Sequence, residues 1–254
     1  MDKNQQEKLN TYLEQLSLKT VNECYTELAS QASSETLSYQ EYLFSLLERE
    51  CEVRKNRRMQ RRLQESKLPI GKDLESFELK RLPNKVTQQV KILLEGTFTN
   101  QNENVLVFGN PGSGKTHLIC AIAHELIKLD KRVYFGTCAL LLQELLLAKR
   151  NLRLQNLLKR FNRYDTIIID DIGYVQQEKE EMEVLFTLLA ERYERGSVMI
   201  TSNLPFSKWE NIFKDPMMTA AAVDRIVHHS VILELNIDSY RMNSAKKRKM
   251  KEVI

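Results

Sequence analysis

Gly109-Asn110-Pro111-Gly112-Ser113-Gly114-Lys115-Thr116 lies between the apolar run Asn104-Val105-Leu106-Val107-Phe108 and the helix-patterned Leu118-Ile119-Cys120-Ala121-Ile122-Ala123. It fits G-x-x-x-x-G-K-[ST], with a buried strand before it and a helix after it, the context that gives this pattern physical meaning. Residues without a Cβ let successive backbone N–H groups turn inward and cradle a β-phosphate at the positive end of the helix. Lys115 is then placed to reach the β- and γ-phosphates, and the Thr116 hydroxyl to ligate Mg²⁺. Gly109, Asn110, Pro111, Gly112, Ser113, Gly114, Lys115, Thr116 and His117 form the candidate set for a nucleoside triphosphate.

Outward from this loop the chain changes character twice. The first 68 residues lack Gly and Pro and carry apolar residues at helical spacing, including Leu9, Tyr12, Leu13 and Leu16, and later Tyr39, Tyr42, Leu43, Leu46 and Leu47. Pro69 and Gly71 break that pattern, and a linker plus a helix lead to about Gly96. The expected domains are 1–68, helical, and 69–254, carrying the nucleotide site. From Asn104 strands are predicted at 105–108, 132–135, 166–170, 198–202 and 231–235, with helices at 115–129, 140–161, 179–195 and 220–228. Apolar strands alternating with helices predict an α/β fold, a parallel sheet covered on both faces, with ligands at the carboxyl ends of its strands. Only 19 residues follow Leu235, so any C-terminal lid is expected to be vestigial.

Composition narrows the class. The 254 residues are 42% apolar and 28% charged, the balance of a soluble globular protein. The polar start predicts no secretory signal, and no run is long enough to span a bilayer. Cys24, Cys51, Cys120 and Cys138 are scattered without metal-ligand spacing, which predicts reduced thiols and a cytoplasmic protein. The net charge of +4 is mild, so any nucleic-acid reading rests on clustering.

Further candidates sit at strand ends. Thr166-Ile167-Ile168-Ile169-Asp170-Asp171 ends in carboxylates: Asp170 for Mg²⁺, and Asp171 to orient or deprotonate the attacking water. Asp at the second position is shorter than Glu, which predicts slow or partner-dependent hydrolysis. Val198-Met199-Ile200-Thr201-Ser202-Asn203 places Asn203 near the γ-phosphate or that water; a turn cap is its structural alternative. Arg225 falls on a helix before the last strand, where a surface pair with Asp224 is the plain alternative, and Arg241 follows Asp238-Ser239-Tyr240.

Arg54, Lys55, Arg57, Arg58, Arg61 and Arg62 fall within an arc of about 160° on one helical face. A one-sided stripe of this kind fits a phosphate backbone, each contact releasing a counterion. Between the second and third strands, residues 138–161 hold two helical phases and carry Lys149, Arg150 and Arg153. The tail Lys246-Lys247-Arg248-Lys249 is a weaker case. No aromatic interleaving suggests base stacking, so contacts to phosphates and duplex shape are expected.

Together these residues resemble the AAA+ P-loop ATPases and, more closely, their IstB/DnaC branch. Residues 109–116, Ile169-Asp170-Asp171-Ile172-Gly173-Tyr174, Tyr193-Glu194-Arg195-Gly196 and Ile200-Thr201-Ser202-Asn203-Leu204-Pro205-Phe206 carry the likeness. Asp224-Arg225-Ile226-Val227-His228-His229, Ser239-Tyr240-Arg241 and the lead-in Ser66-Lys67-Leu68-Pro69 extend it over nearly the whole chain. The resemblance implies an ATPase that assembles as a homo-oligomer on double-stranded DNA, with ATP sites at subunit interfaces, and that recruits or stimulates a cognate transposase. It further implies that Arg225 acts as a finger toward a neighbour's nucleotide and that Arg241 contacts the phosphates as a sensor. A helicase loader of the DnaC kind remains the alternative. A small-molecule kinase is disfavoured, because Asp171 and Asn203 aim at water.

Overall fold

The computed structural model describes residues 2–173 and 178–240, which divide into two compact units at Arg61/Arg62. Arg241, Tyr174 and the basic tail at 246–249 lie outside the described residues.

The first unit is built from α1 (Lys3–Gln15), α2 (Lys19–Ser34) and the greater part of α3 (Tyr39–Glu65). Ser17 and Thr36 make the two bends in left-handed backbone, at φ +56° and +52°. Leu13, Val21, Cys24 and Leu46 form a small core, flanked by Leu9, Leu18, Tyr25, Leu28 and Tyr42. One carboxylate is drawn into it: Glu50 is 3% exposed. Its Oε2 accepts the Val21 N–H at 3.1 Å, in the first turn of α2, and its Oε1 accepts Arg54 Nε at 2.6 Å. Arg54 also donates to the Ser17 carbonyl, so one ion pair ties the start of α2 to α3.

In the second unit α4 (Asn84–Leu94) precedes β1 (Asn104–Gly109), α5 (Lys115–Lys128), β2 (Val133–Thr137), α6 (Cys138–Arg150) and α7 (Leu154–Phe161). Then come β3 (Thr166–Ile172), α8 (Lys179–Arg192), β4 (Ser197–Ser202), the short α9 (Glu210–Phe213), α10 (Pro216–Val227) and β5 (Ser230–Leu235). All strand pairs are parallel, in the order β2-β3-β4-β1-β5. Since β1 and β2 are not neighbours, α5 must cross the sheet to connect them, and it packs on β1, β4, β3 and β2 in turn. This explains its burial: Leu118, Ile119, Cys120, Ala121, Ile122, Ala123 and Leu126 are 0% exposed.

Alternation along each strand feeds two layers. Ile167 and Ile169 join a core with Leu141, Leu145, Phe161, Met182, Leu185 and Trp209, drawn from α6 to α9. Ile168, equally buried, points to the other face, where α5 crosses β3. Each such side chain contributes about 1.5–3 kcal/mol by leaving water. At the amino end of the sheet buried Arg192 donates to the carbonyls of Phe161, Tyr164, Asp165 and Ser197. Burial, opposed by Asp165, pushes its pKa down to about 10.

The segment 138–161, expected to hold two helical phases, is two helices, α6 and α7, separated at Leu152 in left-handed backbone. Leu141, Leu142 and Leu145 are packed, whereas Leu140 and Leu147 are more than half exposed. The four cysteines are free thiols. Among the described residues no helix is long and apolar enough to cross a membrane.

Candidate nucleotide-binding site

The carboxyl end of β1 sets the site. Gly109 has φ +155°, and a Cβ there would meet the Leu235 carbonyl oxygen of the neighbouring β5 at 2.5 Å. Gly112 has φ +81°, and its Cβ would lie 2.2 Å from Ser239 Oγ. Only a residue without a side chain lets the loop fold this tightly before α5 begins. Lys115 Nζ donates to the carbonyls of Gly109 and Asn110, at 2.8 and 3.1 Å, arching over the loop it follows. The Ser113 hydroxyl is buried there without a hydrogen-bond partner. A backbone cradle, a lysine across it and an orphan buried hydroxyl fit a polyphosphate.

The second element is the end of β3. Register with β4 shifts between Ile169 and Ile172, so Asp170 and Asp171 lie in a bulge that turns the two carboxylates apart. Asp170 is 3% exposed, and its Oδ1 accepts the Thr201 hydroxyl at 2.6 Å. The same hydroxyl accepts the Asp171 N–H at 2.8 Å, which holds Asp171 in left-handed backbone at φ +61° with its side chain exposed. Burial pushes the Asp170 carboxyl above its ordinary pKa, against the lowering pull of the Thr201 and Thr116 hydroxyls and the Lys72 charge. Thr116 and Asp170 thus form an adjacent pair of oxygen donors, the type a hard divalent cation takes.

A cavity of about 350 Å³ gathers these pieces. It is lined by residues 111–117 together with Asp171 and Asn203, so most of the candidates expected from sequence meet in one place. Sequence reasoning missed its remaining wall: Lys72, Ser76, Phe77, Glu78 and Arg81 before β1, and Ile237 and Tyr240 after β5. Tyr240 N donates to the Gly112 carbonyl at 2.9 Å. Arg81 lies over the Tyr240 ring, 5.0 Å from its centroid, and donates to the Asp238 carbonyl at 2.8 Å. His117 is pinned from outside, its Nε2 lying 3.1 Å from both Ser76 Oγ and the Asp73 carbonyl, with its ring edge-on to Phe77.

Arg225 is not in this cavity. It donates to the Ala221 carbonyl and lies 4.9 Å from the Phe186 ring centroid. There it lines a separate cavity of about 110 Å³ with Asn104 and Val198, near the amino ends of β1 and β4. Of the basic candidates, Arg54 pairs with Glu50, Arg62 with Asp130, and Lys149 with Glu183. Lys55, Arg57, Arg58, Arg61, Arg150 and Arg153 have exposed side chains.

A five-stranded parallel sheet in the order 2-3-4-1-5, with a phosphate cradle after β1 and paired carboxylates after β3, defines a P-loop protein of AAA+ fold. The chain belongs to the family of IstB-like ATP binding proteins, whose pattern matches residues 11–249. A Sinorhizobium fredii protein named as an insertion sequence ATP-binding protein is 41% identical over 95% of this chain and 82% of its own length. A Pseudomonas aeruginosa protein named as the insertion sequence IS21 ATP-binding protein is 34% identical over 94% of this chain and 90% of its own. Among solved structures, the DnaC helicase loader aligns with a TM-score of 0.57 at 18% identity, covering 66% of this chain and 98% of that one. AMPPCP-bound DnaA from Aquifex aeolicus aligns with a TM-score of 0.57 at 18% identity, over 73% of this chain and 56% of that one. Both share the fold.

Proposed function

We propose that this chain is an ATPase that assembles on double-stranded DNA and assists a transposase. The observation that carries the reading is the meeting of Lys115, Thr116, Asp171 and Asn203 on one cavity, with Asp170 hydrogen-bonded behind them. In this reading the backbone of 109–116 holds the β-phosphate, and Lys115 leaves its own loop carbonyls for the β- and γ-phosphate oxygens. Thr116 and Asp170 hold Mg²⁺, which when bound withdraws charge from the phosphate oxygens. Asp171, exposed at the cavity wall, orients the attacking water and draws its proton, and Asn203 hydrogen-bonds the γ-phosphate or that water. Arg225, outside the phosphate-loop cavity of its own subunit, completes the site of a neighbouring subunit in a homo-oligomer, and Arg241, beyond the described residues, contacts the phosphates as a sensor.

The helical region 1–68 binds DNA or a partner, and 69–254 binds and hydrolyses ATP. The exposed basic side chains of α3, with Arg150 and Arg153 of the α6–α7 region, meet the phosphate backbone. The insertion-sequence names of the relatives favour a transposase over a replicative helicase as partner. The test is ATP turnover by the full chain with duplex DNA, and capture of either the transposase or a hexameric helicase. DNA-stimulated turnover that Lys115→Ala and Asp171→Ala abolish, with transposase retained in an ATP-dependent manner, is the expected result. Capture of the helicase alone transfers the chain to the loader reading, and phosphate transfer to an acceptor other than water overturns both.

A further inference from the structure

The wall of the cavity that precedes β1 is a strap, Gly71 to Arg81, running along the nucleotide site. Its middle is bolted to the first turn of α5. Asp73 Oδ1 accepts both the N–H and the hydroxyl of Ser76, at 2.9 and 2.7 Å, closing a turn that presents Ser76 Oγ and the Asp73 carbonyl to His117. Phe77 packs on Gly114, where even a Cβ would come within 3.3 Å of its ring. One end of the strap, Arg81, stacks on Tyr240. The other end, Lys72, lines the same cavity as Lys115, Thr116, Asp171 and Asn203. Lys72 is joined directly to Asp73, whose carbonyl is held 3.1 Å from His117 Nε2, one residue beyond Thr116, so it reaches the cavity by the start of α5, while Lys115 reaches in from the loop.

We propose that Lys72 is a second lysine of the nucleotide site, which binds the terminal phosphate of ATP from the strap and so makes the site distinguish ATP from ADP. The inference rests on the reading of this cavity as an ATP site. A γ-phosphate brought between Thr116 and Asp171 puts negative charge into the cavity that Lys72 lines. Its oxygens accept charge-assisted hydrogen bonds from the Lys72 ammonium. ADP puts no oxygens there and gains nothing from Lys72. The turn closed by Asp73 and Ser76 limits how far the strap can retreat.

The test is equilibrium binding of a fluorescent non-hydrolysable ATP analogue and of fluorescent ADP, each with Mg²⁺, to the full chain and to Lys72→Ala, Lys72→Arg and Lys115→Ala. Lys72→Ala is expected to weaken the ATP analogue about tenfold or more while ADP changes by less than about twofold, and Lys72→Arg to recover most of the loss. Lys72 is partly exposed, so unchanged circular dichroism and melting temperature are expected for both variants. Equal losses for the two nucleotides, or an unchanged ATP-to-ADP preference, overturn the role of Lys72. If wild type and Lys115→Ala bind neither nucleotide, the reading of the cavity itself falls. If wild type binds, Lys115→Ala does not, and Lys72→Ala matches wild type, only the inference falls.

Discussion

A single hydroxyl organises the two carboxylates of the site. Thr201 Oγ donates to buried Asp170 and accepts the N–H of exposed Asp171, so the inward and outward aspartates are set by one atom on the neighbouring strand. Thr201→Val keeps the shape and removes both bonds, leaving a buried carboxylate short of a donor and a backbone N–H unpaired. The expected cost is about 1–3 kcal/mol in urea unfolding, with Mg²⁺-dependent ATP turnover reduced at least about tenfold. Thr201→Ser, which restores the hydroxyl, is expected to recover both, and an unchanged Thr201→Val would remove the hydroxyl from the account. The sequence marked this residue as part of an apolar strand and of the stretch Ile200 to Phe206 that carries the family likeness, but gave it no role at the carboxylates. Asp170 and Asp171 were legible because a hydrophobic run ending in two acids is a local pattern. Lys72, Phe77 and Arg81 were not, since they reach the cavity only through folding that brings residues about forty positions apart together, as His117 and Ser76 show.

At the scale of elements, α2 begins with a carboxylate supplied by another helix. Burial pushes Glu50 up, but the hydrogen bonds from Arg54 and from the Val21 N–H together outweigh it, so the folded group titrates below its usual value of 4.5. A lowered folded pKa means the contribution is present above about pH 4.5 and fades as pH falls through the folded value. Glu50→Gln keeps the N-terminal acceptor but loses the charge at the helix end and the ion pair. It is expected to destabilise the first unit by about 1–2 kcal/mol at pH 7, with the gap to wild type closing in acid, as read by helical circular dichroism during unfolding. A constant gap from pH 7 to 3 would contradict the charge-based account. The same scale shows where sequence patterns carry and where they fail. The five strands were predicted to within two residues at each end, because buried parallel strands are continuous apolar runs. Two helical phases were legible in 138–161, but the position of the break at Leu152 was not, having no Gly or Pro to announce it. The start of α10 was announced, by Asp215 capping the Met218 N–H and by Pro216 in the first turn, yet the expectation began at 220.

At the scale of the whole molecule, the separation of Arg225 from its own phosphate cavity has a distinctive consequence if neighbouring subunits join head to tail. Lys115→Ala keeps the arginine and loses the cradle's lysine, and Arg225→Ala does the reverse. Each alone is expected to be inactive, with Arg225→Ala still binding nucleotide. Mixed in equal amounts they should recover roughly a quarter of wild-type turnover, since one neighbour in two supplies the arginine and one site in two keeps the lysine. No recovery on mixing, with both variants shown to assemble, would assign Arg225 to its own subunit's packing against Phe186.

The hydrogen bond from Tyr240 N to the Gly112 carbonyl, with Arg81 held on Asp238 and Tyr240, bears on how the protein can be cut and tagged. The sheet is finished at Leu235, and a designer trimming the chain for expression would place the stop soon after it. Of the five residues that follow, Ile237 and Tyr240 nevertheless form part of the cavity wall. A version ending at Leu235 should keep the strand order and much of its melting temperature, yet lose most of its response to added nucleotide in a thermal-shift assay. Attachment of a reporter is accordingly better placed elsewhere than on the segment that closes β5 back onto the phosphate loop.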